Sequence, residues 1–130
     1  MSEGKKFDTG KAPIVSGCLH YFPKALLAVA AVSDYGAKKY DVSFEDKNWS
    51  RLHNAEKRYG DGLGRHVALE GLELWDTGNF DPTGAKGSDL LHAAHAAWNA
   101  LAKLELLLDR GVSLQRPDDS DDIDDSGIPF

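Results

Sequence analysis

Two short stretches hold most of the residues able to do metal or acid–base chemistry at helical spacing. In the first, His66, Glu70 and Glu73 stand at i, i+4 and i+7; in the second, Asp89, His92, His95 and Asn99 recur in the same way. At about 3.6 residues per turn each set falls on one helix face. Between them runs TGNFDPTGAKGSD (77–89), turn chemistry throughout. If the chain folds back near Pro82, Glu73 comes level with His92, Glu70 with His95 and His66 with Asn99. Facing carboxylates repel unless a positive charge sits between them. A divalent cation meets that need, with oxygen ligands favouring Mg²⁺ or Mn²⁺ and imidazole widening the choice. The metal set read from this pattern is Glu70, Glu73, Asp89 and His92, with His66, His95 and Glu73 as acid–base residues. The bland alternative is an amphipathic pair showing a polar face to water. Against it, three of the five histidines lie on these two faces, flanked by alanine rather than by lysine and glutamate.

The elements that must position these residues are helices. Pro23 opens an Ala/Leu/Val-rich run that reads as a buried helix to about Lys39, the proline supplying a pre-set φ in the first turn. Gly36 either ends it or admits another backbone. Residues 41–51 read as a loop, with Asn48 or Ser50 capping the next helix. Residues 52–75 keep helical spacing through Gly60, Gly62 and Gly64, although each interior glycine costs about 1 kcal/mol against alanine. Close packing of a neighbour is the reason to keep them. Ser88 is placed to cap a last helix with Asp89 in its first turn. That helix carries a leucine face, Leu90, Leu101, Leu104 and Leu108, opposite the polar one, and Gly111 ends it. No strand pattern competes. The expected fold is all-α, a bundle of about three main helices completed by oligomerisation, because three helices cannot bury both faces of the last one.

One domain over residues 1–112 followed by an acidic tail over 113–130 is the expected organisation, and 130 residues suffice for a core without staples. The net charge of −6 is concentrated in six aspartates between Asp118 and Asp125, which read as a disordered tail or, through Ile128-Pro129-Phe130, as a docking segment. The body is close to neutral, so duplex nucleic acid is a poor partner. A small anionic ligand needs only a few bases in one pocket, and Lys11, Lys38, Lys39 and Arg65 are the candidates. Tyr40 and Trp49 offer rings that could stack on a base. RYGDGLGRH (58–66) lacks the Gly-Lys-Ser/Thr ending and preceding strand of a phosphate loop. The single cysteine, Cys18, fits a reducing compartment. No apolar run approaches the roughly 20 residues of a membrane span, and the first residues lack the apolar stretch of a signal peptide. A cytoplasmic protein is expected, without a membrane partner.

In chain order the motifs are DTGK (8–11), YGAKKY (35–40), NW (48–49), RY (58–59), RH (65–66), the G-x-x-D-P of Gly78 to Pro82, and HAAHAAWNAL (92–101). This succession resembles the small phage-borne family of dATP/dGTP diphosphohydrolases, related in kind to the MazG-like all-α nucleotide pyrophosphohydrolases. The resemblance covers about residues 7–108. It implies hydrolysis of a deoxynucleoside triphosphate, a purine one first, to the monophosphate and pyrophosphate with Mg²⁺ or Mn²⁺, in the cytoplasm of a phage host. It places Lys11, Lys38, Lys39, Asn48, Trp49, Arg65, His66, Asp81, His92, His95 and Asn99 on motif residues. Lys11, Lys38, Lys39, Tyr40, Asn48, Trp49, Arg65 and Asn99 are then the expected substrate-binding set. This chain is about four residues longer on each side of the G-x-x-D-P turn, roughly one helical turn. Asn79 and Thr83 stand where the family has acids, and the Glu-Glu-x-x-Glu…Glu-x-x-Asp signature of MazG-like enzymes is absent. Two readings therefore go forward: a metal-dependent enzyme, and a protein that sequesters a nucleotide without hydrolysing it. A helical interaction module with a nucleic-acid-mimicking acidic tail is a third.

Overall fold

A computed structural model of the chain describes residues 3–7 and 10–118. It is helical, with three main helices: α1 (Pro23–Tyr40), α2 (Ala55–Glu70) and α3 (His92–Asp109). A single π turn, Val15–Leu19, precedes α1, and a 3₁₀ turn, Asn48–Arg51, lies between α1 and α2. The extended pairing found among the described residues is one isolated antiparallel bridge, Trp75 with Leu91. Most of the aspartate-rich tail, with Ile128, Pro129 and Phe130, lies outside the described residues, as do Asp8 and Thr9 of DTGK.

Helix α1 starts on Pro23 as expected, continues through Gly36 and ends at Asp41, which takes the left-handed conformation (φ 53°). Among the described residues nothing crowds Gly36, so it marks neither a stop nor a close approach. Helices α2 and α3 run antiparallel: Glu56 pairs with Arg110 at 2.7 Å, Gly62 lies against Asn99, and His66 meets His92 and His95. The three alternating glycines are not equivalent. A Cβ on Gly62 would stand 2.5 Å from Asn99 Oδ1, whereas Gly60 meets only the end of Lys103 and Gly64 faces open space. Gly62 alone lets the helices close. Gly62→Ala is expected to lower stability by about 1–3 kcal/mol in urea unfolding, while Gly64→Ala leaves it unchanged or raises it by up to about 1 kcal/mol. Equal behaviour of the two variants would contradict this assignment.

Trp98 ties α3 to α1 through its indole N–H, which donates to Ser33 Oγ at 2.9 Å. Its ring also meets Tyr59 and Trp49, and the Tyr59 hydroxyl donates to the Trp49 carbonyl at 2.6 Å. The apolar side chains buried among the described residues are few: Val32, Tyr59, Ala94 and Ala102. Three histidines, His66, His92 and His95, are buried with them. Part of the centre of this bundle is thus imidazole.

Three helix ends differ from the expected ones. Helix α2 does not reach residue 75 but closes at Gly71, with the N–H groups of Leu72 and Glu73 bonding back to the Leu69 carbonyl. Ser88 does not cap α3, which begins only at His92 after an extended Leu91, and Asp89 sits outside the helix in the left-handed region (φ 61°). Both differences have one cause. Residues 74–76 and 89–92 pair with each other, through Asp76 N–H to Leu90 O (2.7 Å), Asp89 N–H to Asp76 O (2.7 Å) and His92 N–H to Leu74 O (3.1 Å). A long-range pairing outcompetes the local helical preference of the two flanks. Asn48 and Ser50 do not cap α2 either; they form their own turn, and Asn54 precedes the helix without a side-chain cap.

Candidate active site

The pairing of 74–76 with 89–92 carries the loop back over the ends of α2 and α3. Gly87 makes this possible: a Cβ there would lie 2.2 Å from the Asp76 carbonyl oxygen and 2.5 Å from the Gly78 nitrogen. Backbone meets backbone at that point, and only glycine fits. The result is that Glu73 and Asp76, both on loop, are presented to histidines that α2 and α3 hold from the other side.

His92 is at the centre and fully buried, at 0% exposure. Its Nε2 lies 2.9 Å from Glu73 Oε2 and its Nδ1 lies 2.8 Å from His66 Nδ1. The His66 ring stacks on His95 with centroids 4.4 Å apart and planes 9° from parallel. His95 Nε2 is 2.6 Å from Ser88 Oγ and 3.8 Å from Asp76 Oδ2. Tyr35 of α1 closes this side, its ring edge-on to His95 at 6.0 Å. Glu73, Asp76 and His92 each offer a ligand atom, and these atoms all lie within 4.8 Å of one another. Two carboxylates and one imidazole form a donor set suited to a divalent cation of the Mg²⁺, Mn²⁺ or Zn²⁺ kind.

The charges agree with such a use. The Thr77 hydroxyl, and then His92, hold the Glu73 carboxyl below its ordinary range. Burial pushes Asp76 up, but its bonds from the Ser88 N–H and hydroxyl outweigh that and leave it lowered. Both acids are therefore ionised at neutral pH. His66 goes the other way: burial first, then the neighbouring His95 and His92, push its pKa down to about 4. Burial also lowers His95, against the pull of Asp76. A histidine depressed in the folded state takes up its proton first in the unfolded chain, whose ordinary value is about 6.5. Acidification from about pH 6.5 towards 4 should therefore strip stability from the fold, while the two low carboxylates stay ionised over most of that window. Urea midpoints are expected to fall between pH 7 and pH 5, with a smaller fall for His66→Gln. Equal midpoints at the two pH values would contradict the burial of a neutral His66.

Of the residues read from spacing, the fold brings together His66, Glu73, His92 and His95. Glu70, the last residue of α2, and Asp89 are both exposed and lie outside the Glu73–Asp76–His92 cluster. The expected register is also off: His66 faces His92 and His95 rather than Asn99, and Gly62 takes the place opposite Asn99. Asn99 donates from Nδ2 to the His95 carbonyl, so it braces α3 at the histidine.

Among the expected ligand binders, Lys39 lies 5.9 Å from the Tyr35 ring centroid and 5.4 Å from that of Tyr40. The charges of Lys39 and Arg65 are both felt at His95 and Asp81. Neither base forms an ion pair among the described residues, in contrast to Lys38, which is bound by Asp34 at 2.8 Å. Lys11 is exposed in the N-terminal segment, and Tyr40 is exposed at the end of α1. Asn48 and Trp49 sit on the 3₁₀ turn, with Trp49 packed against Tyr59 and Trp98. Asp81 is occupied within its own turn by the Thr83 N–H and hydroxyl, which also lower its pKa.

Sequence reasoning missed Asp76 and the real position of Ser88. The signal for Asp76 was there as Glu73-x-x-Asp76, an i, i+3 pair hidden in a stretch dominated by turn residues. A family model described as dATP/dGTP diphosphohydrolase, N-terminal, matches residues 1–115. No curated protein and no solved structure matches the chain.

Proposed function

The chain belongs to the family of the dATP/dGTP diphosphohydrolase N-terminal domain, and from that membership we propose that it hydrolyses a deoxynucleoside triphosphate, with dATP and dGTP the first candidates, to the monophosphate and pyrophosphate. The observation that carries the reading is the Glu73–Asp76–His92 cluster, two ionised carboxylates and a buried imidazole converging on one point. These three residues would hold a Mg²⁺ or Mn²⁺ ion. When bound, such an ion neutralises charge on phosphate oxygens and makes water a better nucleophile at neutral pH.

The remaining roles fall to the chain itself. Lys39 and Arg65, which form no ion pair among the described residues and whose charges reach His95, draw the triphosphate to the acidic cluster and hold its oxygens. His66 and His95 stay neutral near pH 7 and are the bases able to accept a proton from the attacking water. Asn99 and Gly62 keep α3 close to α2 so that these rings stay in register. A second copy of the chain is the expected cover for the outward row of α3, where Leu101, Leu104 and Leu108 are 46%, 47% and 39% exposed.

The test is incubation of the full chain with dATP, dGTP and the other (d)NTPs in Mg²⁺ or Mn²⁺, with pyrophosphate as the readout. Release that exceeds a Glu73→Ala control and stops with a chelator supports hydrolysis. Tight nucleotide binding without pyrophosphate would replace this reading with nucleotide sequestration, and neither binding nor release would remove both.

A further inference from the structure

Ser88, which looks from sequence like a helix cap, is instead the junction between the acidic cluster and the histidines. Its N–H donates to Asp76 Oδ2 at 3.2 Å, and its hydroxyl lies 3.1 Å from the same oxygen. The Leu90 N–H donates to Ser88 Oγ at 3.2 Å, and His95 Nε2 lies 2.6 Å from it.

One arrangement gives every one of these contacts both a donor and an acceptor. A hydroxyl has one hydrogen to give and two lone pairs to receive with. A carboxylate oxygen accepts, so the Ser88 hydrogen goes to Asp76 Oδ2, 3.1 Å away. Leu90 N–H fills one lone pair of Oγ, and the other must accept from His95. His95 therefore carries its proton on Nε2, and Nδ1 holds the bare lone pair. Nδ1 has no partner among the described residues, where no fully inaccessible side-chain nitrogen or oxygen is left unpaired, so it is not sealed from solvent. On Asp76, both hydrogen bonds go to Oδ2, which leaves Oδ1 without a hydrogen-bond partner among the described residues.

We propose that Ser88 is a positioning residue: it holds Asp76 by Oδ2, leaving Oδ1 for a cation, and locks His95 as the Nε2–H tautomer with Nδ1 as the free proton acceptor. The use of these two groups rests on the function proposed above, whereas the tautomer and the carboxylate orientation are properties of the metal-free fold and are measured separately from activity. Ring-nitrogen ¹⁵N–¹H correlation spectra of the metal-free protein, with His95 assigned from His95→Gln, are expected to show Nε2 protonated and Nδ1 bare. In Ser88→Ala the His95 signals should move towards a tautomer mixture, and Mn²⁺ affinity by titration should weaken about 10- to 100-fold. Ser88→Thr keeps the hydroxyl and should restore both.

An Nδ1–H tautomer in the wild-type protein would overturn the proposal without any variant, so a Ser88→Ala chain that fails to fold does not protect it. An unchanged His95 spectrum or unchanged Mn²⁺ affinity in folded Ser88→Ala would overturn it equally. If the wild-type protein releases no pyrophosphate yet shows the expected tautomer and affinity change, the proposed reaction falls and the role of Ser88 stands.

Discussion

Replacing Asp76 with asparagine is expected to lower cation-dependent pyrophosphate release by about a hundredfold or more while the protein stays folded. The side chain keeps its size, and its amide oxygen still accepts from the Ser88 N–H, so the loop pairing around residues 74–76 and 89–92 is retained. What disappears is one of the two negative charges of the Glu73–Asp76–His92 cluster. Steady-state kinetics in Mg²⁺ and Mn²⁺, alongside circular dichroism, make the comparison. A folded Asp76→Asn variant within twofold of wild-type activity would show that the cluster is not where the cation acts.

His92→Ala should be the most damaging single change to the fold as well as to the site. The ring is fully buried and bridges Glu73 on the loop to His66 on α2. Its removal opens a cavity and leaves His66 Nδ1 without its partner, so a loss of about 2–4 kcal/mol is expected in urea unfolding at pH 7. Activity should be lost with it, and added Mn²⁺ should stabilise the wild type but not the variant, since only a chain that binds the ion gains from it. A loss below about 1 kcal/mol would mean that the histidine cluster is not part of the core.

Much of the scaffold was legible because it is periodic or punctuated. Pro23 marks the start of α1, Gly111 follows α3 in the left-handed conformation (φ 94°), and Leu101, Leu104 and Leu108 share an outward row of α3, whereas Leu90 of the expected face lies before the helix begins. The histidines were legible for the same reason, since 92 and 95 lie one turn apart on α3 and 66 lies near the end of the facing helix. Glu70 and Asp89 show the limit of that reasoning. Periodicity reports which face a residue is on but not how deep it lies or where the helix stops, and both residues ended up exposed.

Glu73 came to His92 by another route than the expected one. It left the helix at Gly71 and was carried back by pairing between residues 74–76 and 89–92, contacts that no local pattern announces. Asp76 and Ser88 were hidden by the same physics. Both sit among turn residues whose local chemistry explains them well enough, and their joint role appears only when a loop closure set by Gly87 brings positions twelve apart into hydrogen-bond range.

The most direct measurement is anomalous diffraction from crystals grown with Mn²⁺ and a non-hydrolysable dATP analogue. One strong Mn²⁺ peak is predicted about 2.0–2.3 Å from a Glu73 carboxylate oxygen, Asp76 Oδ1 and His92 Nε2, with triphosphate oxygens completing the shell and Lys39 and Arg65 on the phosphates. An ion bound instead at Glu70, Asp81 or Asp89, with the Glu73–Asp76–His92 cluster still bonded only to itself, would contradict it.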